Sequence, residues 1–356
     1  YVSLMKKIII LTHGAHGGYG GIDKYVKNII NVLSKSKNKF QINIFSKKKI
    51  FLNKKNVFIE FSEKFHSLII IKNLINIFKS DLIIVTHINL TLYLFFLIFN
   101  KKKIVLFSYG LDIWGNKKNF LYKIFIKKIR YFISMRRYTM SKQKSIFQIK
   151  PRKEFLLHNS FDEANYNPRK KIGKRKKIVT SVARLSAVEK YIGIDETLEA
   201  MALIKKIEFK YIIIGDGDDK ERLIRKANKL KIKKHVIFKG YLNDKARDNV
   251  LKSSKVFSMP GSRLGFDTYP YRFAFLEAAS QGQHILASNP TKDELIEAKK
   301  YKCFNFVNPN DRKSLSNKII KLLNKKNCFC KNLNEELSFK NFDLRLTDYI
   351  KNIMRD

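Results

Sequence analysis

The chain has 356 residues, enough for two α/β domains of ordinary size and too many for one hydrophobic core. Hydrophobic residues make up 45% of it and aromatics 13%, which excludes a disordered chain despite a formal net charge of +43 from 73 Lys and Arg against 30 Asp and Glu. That charge points to an anionic partner, with lipid headgroups, nucleic acid and polyanionic glycans as the candidates, unless the lysines simply solvate surface faces.

Cys303, Cys328 and Cys330 are odd in number and lack paired spacing, so neither a disulfide framework nor a four-ligand zinc site is expected. A reducing, cytoplasmic compartment fits them, with the charge suited to the inner face of a membrane. The residues after Met5 lack the charged, apolar and cleavage-site order of a secretory leader.

In chain order, Lys6-Lys7-Ile8-Ile9-Ile10-Leu11 predicts a buried parallel strand ending at Thr12-His13-Gly14. The glycine-rich loop Gly17-Gly18-Tyr19-Gly20-Gly21 follows and opens into a segment from Ile22 with helical apolar spacing. Further strands are predicted at 41–45, 81–86 and 103–108, with gaps long enough for crossover helices. The most lipid-like stretch, 82–99, is interrupted by Thr86, His87, Asn89 and Thr91, so it reads as a buried strand followed by a core helix. The basic amphipathic run 119–133 reads either as a stripe lying on anionic lipid or as a core helix with solvated lysines.

Residues 168–177 have no apolar period and carry seven basic residues, the pattern of an exposed linker. After them the alternation restarts. Strands are expected at 178–182, 211–214, 236–238, 255–259 and 285–287, helices at 195–204, 220–230 and 273–280, and a last helix at 342–354. The domains expected are 1–168, 169–335 and a closing helix 336–356.

In open parallel sheets, ligands bind beyond the carboxyl ends of the strands, where glycine lets backbone amides approach a pyrophosphate. Gly20 and Gly21 are so placed, with a plain tight turn as the alternative. In the second half Arg184 follows a strand and Lys190 comes soon after, so the two cations are candidates to clamp a diphosphate. His13, and with less weight His16, could contact acceptor or sugar or serve only as turn residues. Asp216-Gly217-Asp218-Asp219 permits a divalent-cation reading, with a turn cluster the stronger alternative.

The sequence resembles the retaining family 4 glycosyltransferases of the GT-B fold. The resemblance is carried, in order, by Gly20-Gly21-Ile22-Asp23-Lys24-Tyr25, Ala183-Arg184-Leu185-Ser186, Ile214-Gly215-Asp216-Gly217, Val236-Ile237-Phe238-Lys239-Gly240-Tyr241 and Phe275-Leu276-Glu277-Ala278-Ala279-Ser280-Gln281-Gly282. It implies two Rossmann-like domains with open parallel sheets facing across a cleft. It also implies a nucleotide-diphosphate sugar (UDP- or GDP-linked) held by the second domain, a lipid-linked or cell-surface glycan acceptor at the first, and retaining transfer without metal or other cofactor. By the same resemblance, Gly20, Gly21, Arg184, Lys190, Gly215, Gly240, Tyr241, Gly265, Phe266 and Glu277 bind the donor. Glu277 would hold the ribose hydroxyls, and Asp267, His13, Tyr109 and Asp112 are the catalytic candidates.

Three positions depart from the family pattern. Ile192 stands where a phosphate-binding Lys directly precedes the glycine occupied by Gly193; Tyr269 stands eight residues before Glu277, where an acid is usual, with Asp267 the candidate replacement; and Tyr109 stands before Gly110, where His is common. Alternatives to the glycan transferase are a protein that keeps the fold and binds sugar nucleotide or glycan without turnover, and a transferase acting on nucleic acid.

Overall fold

The structure, a computed structural model, describes residues 5–15, 20–35, 40–63, 66–97, 99–114, 120–161, 175–261, 269–326, 328 and 331–356. It divides into two compact units, residues 1–159 with 340–356, and residues 160–339.

The first unit holds strands β1 (Lys6–Thr12), β2 (Phe40–Ser46), β3 (Val57–Phe61), β4 (Leu82–Val85), β5 (Ile104–Ser108), β6 (Tyr131–Ser134) and β7 (Lys153–Leu156). They form one sheet in the order β3-β2-β1-β4-β5-β6-β7, and every pairing is parallel. Helices α1 (Gly21–Lys35), α2 (His66–Lys72), α3 (Leu74–Phe78), α4 (Leu111–Trp114), α5 (Phe120–Lys128) and α6 (Arg137–Phe147) connect them, with a 3₁₀ segment at Ile88–Leu97. Ile8, Ile9, Ile10 and Leu11 of β1 are wholly buried, as a central strand covered on both faces requires of its side chains. On α1, Tyr25, Val26, Ile29, Ile30 and Leu33 share the inward stripe that helical spacing sets.

The run 119–133 divides. Phe125, Ile126 and Ile129 are buried, and Tyr131 and Phe132 belong to β6, while Lys123, Lys127 and Lys128 face solvent. Of the two readings of this segment, the core helix holds. Within 82–99 the buried strand is β4, but the core helix expected after it is a 3₁₀ segment that buries Ile88, Leu90, Leu94 and Leu97 and leaves Phe95 and Phe96 exposed; among the described residues no helix is long and apolar enough to cross a membrane.

The second unit holds β8 (Ile178–Val182), β9 (Lys210–Ile214), β10 (Val236–Phe238), β11 (Val256–Met259), β12 (His284–Ser288) and β13 (Phe304–Val307), in the order β10-β9-β8-β11-β12-β13 and again all parallel. Its helices are α7 (Ile194–Ala202), α8 (Lys220–Lys229), α9 (Asp244–Ser253), α10 (Phe273–Ser280), α11 (Lys292–Lys299), α12 (Arg312–Asn324) and α13 (Lys331–Leu337). The strand order reverses direction between β8 and β11, and at such a switch point the loops diverge and leave room for a ligand.

The last helix, α14 (Phe339–Arg355), packs in the first unit. Its Phe342 ring meets Tyr25 edge-on at 5.4 Å, Asp343 pairs with Lys35 at 2.8 Å, and the Tyr349 hydroxyl donates to the Leu156 carbonyl at 3.1 Å.

The exposed linker expected at 168–177 needs one correction. Residues 168–174 lie outside the described residues, but Arg175 is buried. Its guanidinium donates to the carbonyl of Ser254 at 2.6 Å and to that of Gln281, the C-cap residues of α9 and α10. A cation there satisfies carbonyls that a helix end leaves unpaired and meets the negative ends of two dipoles. Burial lowers its pKa to about 10.

Candidate functional site

In the second unit Arg184, Gly215, Gly240 and Tyr241 follow the carboxyl ends of β8, β9 and β10. Residues 183–187 are laced to 214–219: the amides of Ala183 and Leu185 donate to the carbonyls of Ile214 (3.0 Å) and Asp216 (3.1 Å). The Asp219 amide donates back to Leu185 (2.8 Å), and the Ala187 amide donates to the Asp218 carboxylate (2.9 Å). This close approach explains Gly215. Its φ is +130°, and a Cβ there would stand 1.8 Å from the Ala183 carbonyl oxygen. The Gly215 amide also donates to the Gly240 carbonyl at 2.8 Å, which ties the loop after β10 to the same edge. Both glycines therefore set loop geometry. Tyr241, next in the chain, is exposed.

The three carboxylates of the Asp216-Gly217-Asp218-Asp219 turn are spent separately. Asp216 pairs with Lys220 at 3.1 Å, Asp218 caps the Ala187 amide, and Asp219 holds Arg222 at 2.6 Å. That arrangement is the turn cluster.

Arg184 projects from the loop after β8 with its guanidinium mostly exposed and hydrogen-bonded to Glu189. The 3₁₀ turn Ala187–Ile192 follows; Lys190 lies in it, with its side chain outside the described residues. Ile192 is buried, so the position where the family carries a cation offers none. Gly193, at φ +104°, lies so close to the end of β11 that a Cβ would come within 2.5 Å of the Pro260 nitrogen. Gly265, Phe266 and Asp267 lie outside the described residues, and Tyr269 is buried, edge-on to Tyr271 at 5.6 Å.

Glu277 lies on α10 with its carboxylate mostly buried, 3.5 Å from the guanidinium of Arg247 on α9. Arg247 also reaches Asp244 at 2.8 Å and Asp248 at 3.4 Å. Burial alone would lower the Arg247 pKa, but Glu277, Asp244 and Asp248 outweigh it and hold it above its ordinary value. Asp248 is shifted the other way for a carboxylate: burial raises its pKa, and Arg247 only partly offsets this. α9 begins three residues after Tyr241, so Arg247 links Glu277 to the helix that follows the Gly240–Tyr241 loop.

In the first unit, His13, Gly20, Gly21, Tyr109 and Asp112 all follow the carboxyl ends of β1 and β5. The Gly20 carbonyl accepts from the Lys24 amide at 3.2 Å as α1 begins, and a Cβ on Gly20 would meet no atom within 4 Å. His13 packs edge-on against His87 at 4.9 Å; burial and then Lys47 lower its pKa, so its imidazole is neutral at neutral pH. His16 is outside the described residues. The Asp112 carboxylate accepts from the amides of Gly110 at 2.6 Å and Tyr109 at 3.2 Å, the arrangement that starts α4. Tyr109 is buried edge-on to Tyr25 at 5.7 Å, and its hydroxyl finds no hydrogen-bond partner among the described residues.

Sequence reasoning did not find Arg247, Asp248 or His87. The first two stand in Asn243-Asp244-Lys245-Ala246-Arg247-Asp248, where alternating charges fit any solvated helix start. The one available signal was the Asn243 cap, whose side chain accepts from the Ala246 amide at 2.9 Å and so fixes where the helix begins and which way Arg247 faces.

Two parallel sheets with reversed strand order, matched over nearly the whole chain by solved glycosyltransferase structures, give the GT-B class of α/β fold. Within it, residues 162–338 match the family of glycosyl transferases group 1. Solved structures agree on the fold. Sucrose-phosphate synthase from Thermosynechococcus elongatus superposes with a TM-score of 0.77 at 14% identity, covering 98% of this chain and 99% of that one. The Anabaena protein HepE in complex with UDP gives 0.73 at 14% identity, covering 97% and 100%, and its complex with UDP-glucose gives 0.72 at 13%, covering 97% and 99%. WaaG, a glycosyltransferase involved in lipopolysaccharide biosynthesis, gives 0.62 at 12%, covering 97% and 98%. Among curated proteins none matches significantly.

Proposed function

We propose that the chain is a retaining, metal-independent glycosyltransferase that moves a hexose from a UDP- or GDP-sugar to a lipid-linked or cell-surface glycan acceptor. The observation that carries the reading is the ion pair between the mostly buried Glu277 of α10 and Arg247, on the helix that follows the Gly240–Tyr241 loop. A mostly buried carboxylate, oriented by a guanidinium, can accept two hydroxyl hydrogen bonds from a ribose. Arg184, and Lys190 in the following turn, supply charge for the diphosphate. The start of α1 at Gly20-Gly21 offers backbone amides to an anion. In this reading Asp267 and His13 serve the transfer, with Gly265 and Phe266 against the sugar. HepE, which has been crystallised with UDP and UDP-glucose, and the group 1 match over residues 162–338 favour the donor class.

Incubation with a panel of nucleotide sugars tests it. Donor hydrolysis or transfer is expected for one of them, and silence across the panel together with absent nucleotide binding refutes it. A second reading, a protein that binds sugar nucleotide without turnover, is favoured by the burial of Ile192 and Tyr269 where the family carries charge. Tight nucleotide binding without hydrolysis of any donor would select it.

A further inference from the structure

The first unit exposes an apolar face that the donor chemistry does not use. On α2 and α3, Leu68, Ile71, Ile75 and Phe78 are exposed at intervals of three and four residues, so they form one stripe, while Ile69, Ile70 and Ile77 turn into the core. The stripe continues onto the neighbouring 3₁₀ segment: the Phe78 and Phe96 rings lie 5.7 Å apart, Phe95 is exposed beside Phe96, and Phe99 just beyond is 94% exposed. Contiguous exposed apolar surface of this kind marks an interaction site rather than scattered surface residues.

The charge around this face decides its occupant. Lys79 and Lys101 stand exposed beside Phe78 and Phe99, and α5, which packs on the same core, turns Lys123, Lys127 and Lys128 to solvent. The sequences of α2, α3, Ile88–Leu97 and α5 contain no acidic residue, and between Asp81 and Glu154 the only one is Asp112. A second copy of a chain with net charge +43 would bring like charges together, whereas an anionic bilayer offers both opposite charge and an apolar layer beneath.

We infer that the α2–α3 stripe with Phe95, Phe96 and Phe99 inserts into the headgroup boundary of an anionic lipid bilayer, with the flanking lysines on its phosphates. The lysines of α5 thus contribute to this surface while Phe125, Tyr131 and Phe132 stay in the core.

Vesicle sedimentation of the full chain tests this, using equimolar phosphatidylglycerol and phosphatidylcholine against phosphatidylcholine alone. Binding to the anionic vesicles only is expected, and Ile75→Ser with Phe99→Ser, both highly exposed, should weaken it at least about tenfold without changing the circular dichroism spectrum. Lys79→Gln with Lys101→Gln should weaken it by a smaller factor and reduce its salt dependence, whereas Ile296→Ser, an exposed apolar change in the second unit, should leave it unchanged. Equal binding to both vesicle types, no binding to either, or undiminished binding of the Ile75→Ser and Phe99→Ser variant overturns the inference. So does a wild-type dimer, measured by sedimentation equilibrium, that the same variant dissociates.

Discussion

Replacing Arg247 by Met keeps the length of the side chain and removes its charge, leaving the mostly buried carboxylates of Asp248 and Glu277 without the guanidinium between them. Breaking a fully buried pair costs about 3–5 kcal/mol, but each contact here is single-pronged and the groups keep some exposure, so a loss of about 2 kcal/mol near neutral pH is expected. The loss should depend on pH. Asp248 already binds its proton more tightly folded than unfolded, because burial raises its pKa, so its charged form opposes folding above the raised value. Without Arg247 that pKa rises further, so the penalty is largest near neutrality and shrinks as acidification protonates the carboxylate. Urea titrations of wild type and variant, followed by circular dichroism at about pH 7 and about pH 5, measure it. A penalty equal at both pH values would mean that Arg247 acts by packing, and no penalty would mean that the ion pair contributes nothing.

Gly215→Ala places a methyl group against the Ala183 carbonyl at a positive φ, and should destabilise the second unit by about 3 kcal/mol or more, read as a drop in Tm. Tyr109→Phe removes a buried hydroxyl that has no described partner, so it should be neutral or stabilising by up to about 1 kcal/mol; a clear loss of stability would show that the hydroxyl is engaged. His13 should titrate, by NMR, below an ordinary histidine. Its neutral form favours the fold, so stability is present above the unfolded pKa of about 6.5 and is lost as pH falls through the lower folded value; His13→Gln should flatten that acid limb.

Both sheets were legible where side chains are buried on both faces. Ile8 to Leu11 and Tyr211 to Ile214 are apolar runs that only a covered parallel strand explains. Strand β3 was not legible, because it lies at the sheet edge with Phe58 and Phe61 exposed and Glu60 between them, so its pattern resembles loop. Strand β6 was hidden because Tyr131 and Phe132 continue the apolar rhythm of α5 without a break. The glycine positions signalled close backbone approach, yet Gly215 meets the Ala183 carbonyl of a neighbouring loop. The pairing of Arg247 with Glu277 spans thirty residues of chain and depends on how α9 and α10 pack, which no local spacing encodes.

In the proposed function the second unit holds a nucleoside diphosphate with Glu277 on its ribose. Calorimetric titration of the full chain with UDP and GDP, repeated on Glu277→Gln, tests it most directly. One nucleotide is expected to bind the wild type, and the variant, which keeps its volume but loses a charged acceptor, to bind about 2 kcal/mol or roughly 30-fold more weakly. Equal affinity of the two proteins for the bound nucleotide, or no binding of either nucleotide by the wild type, would contradict it.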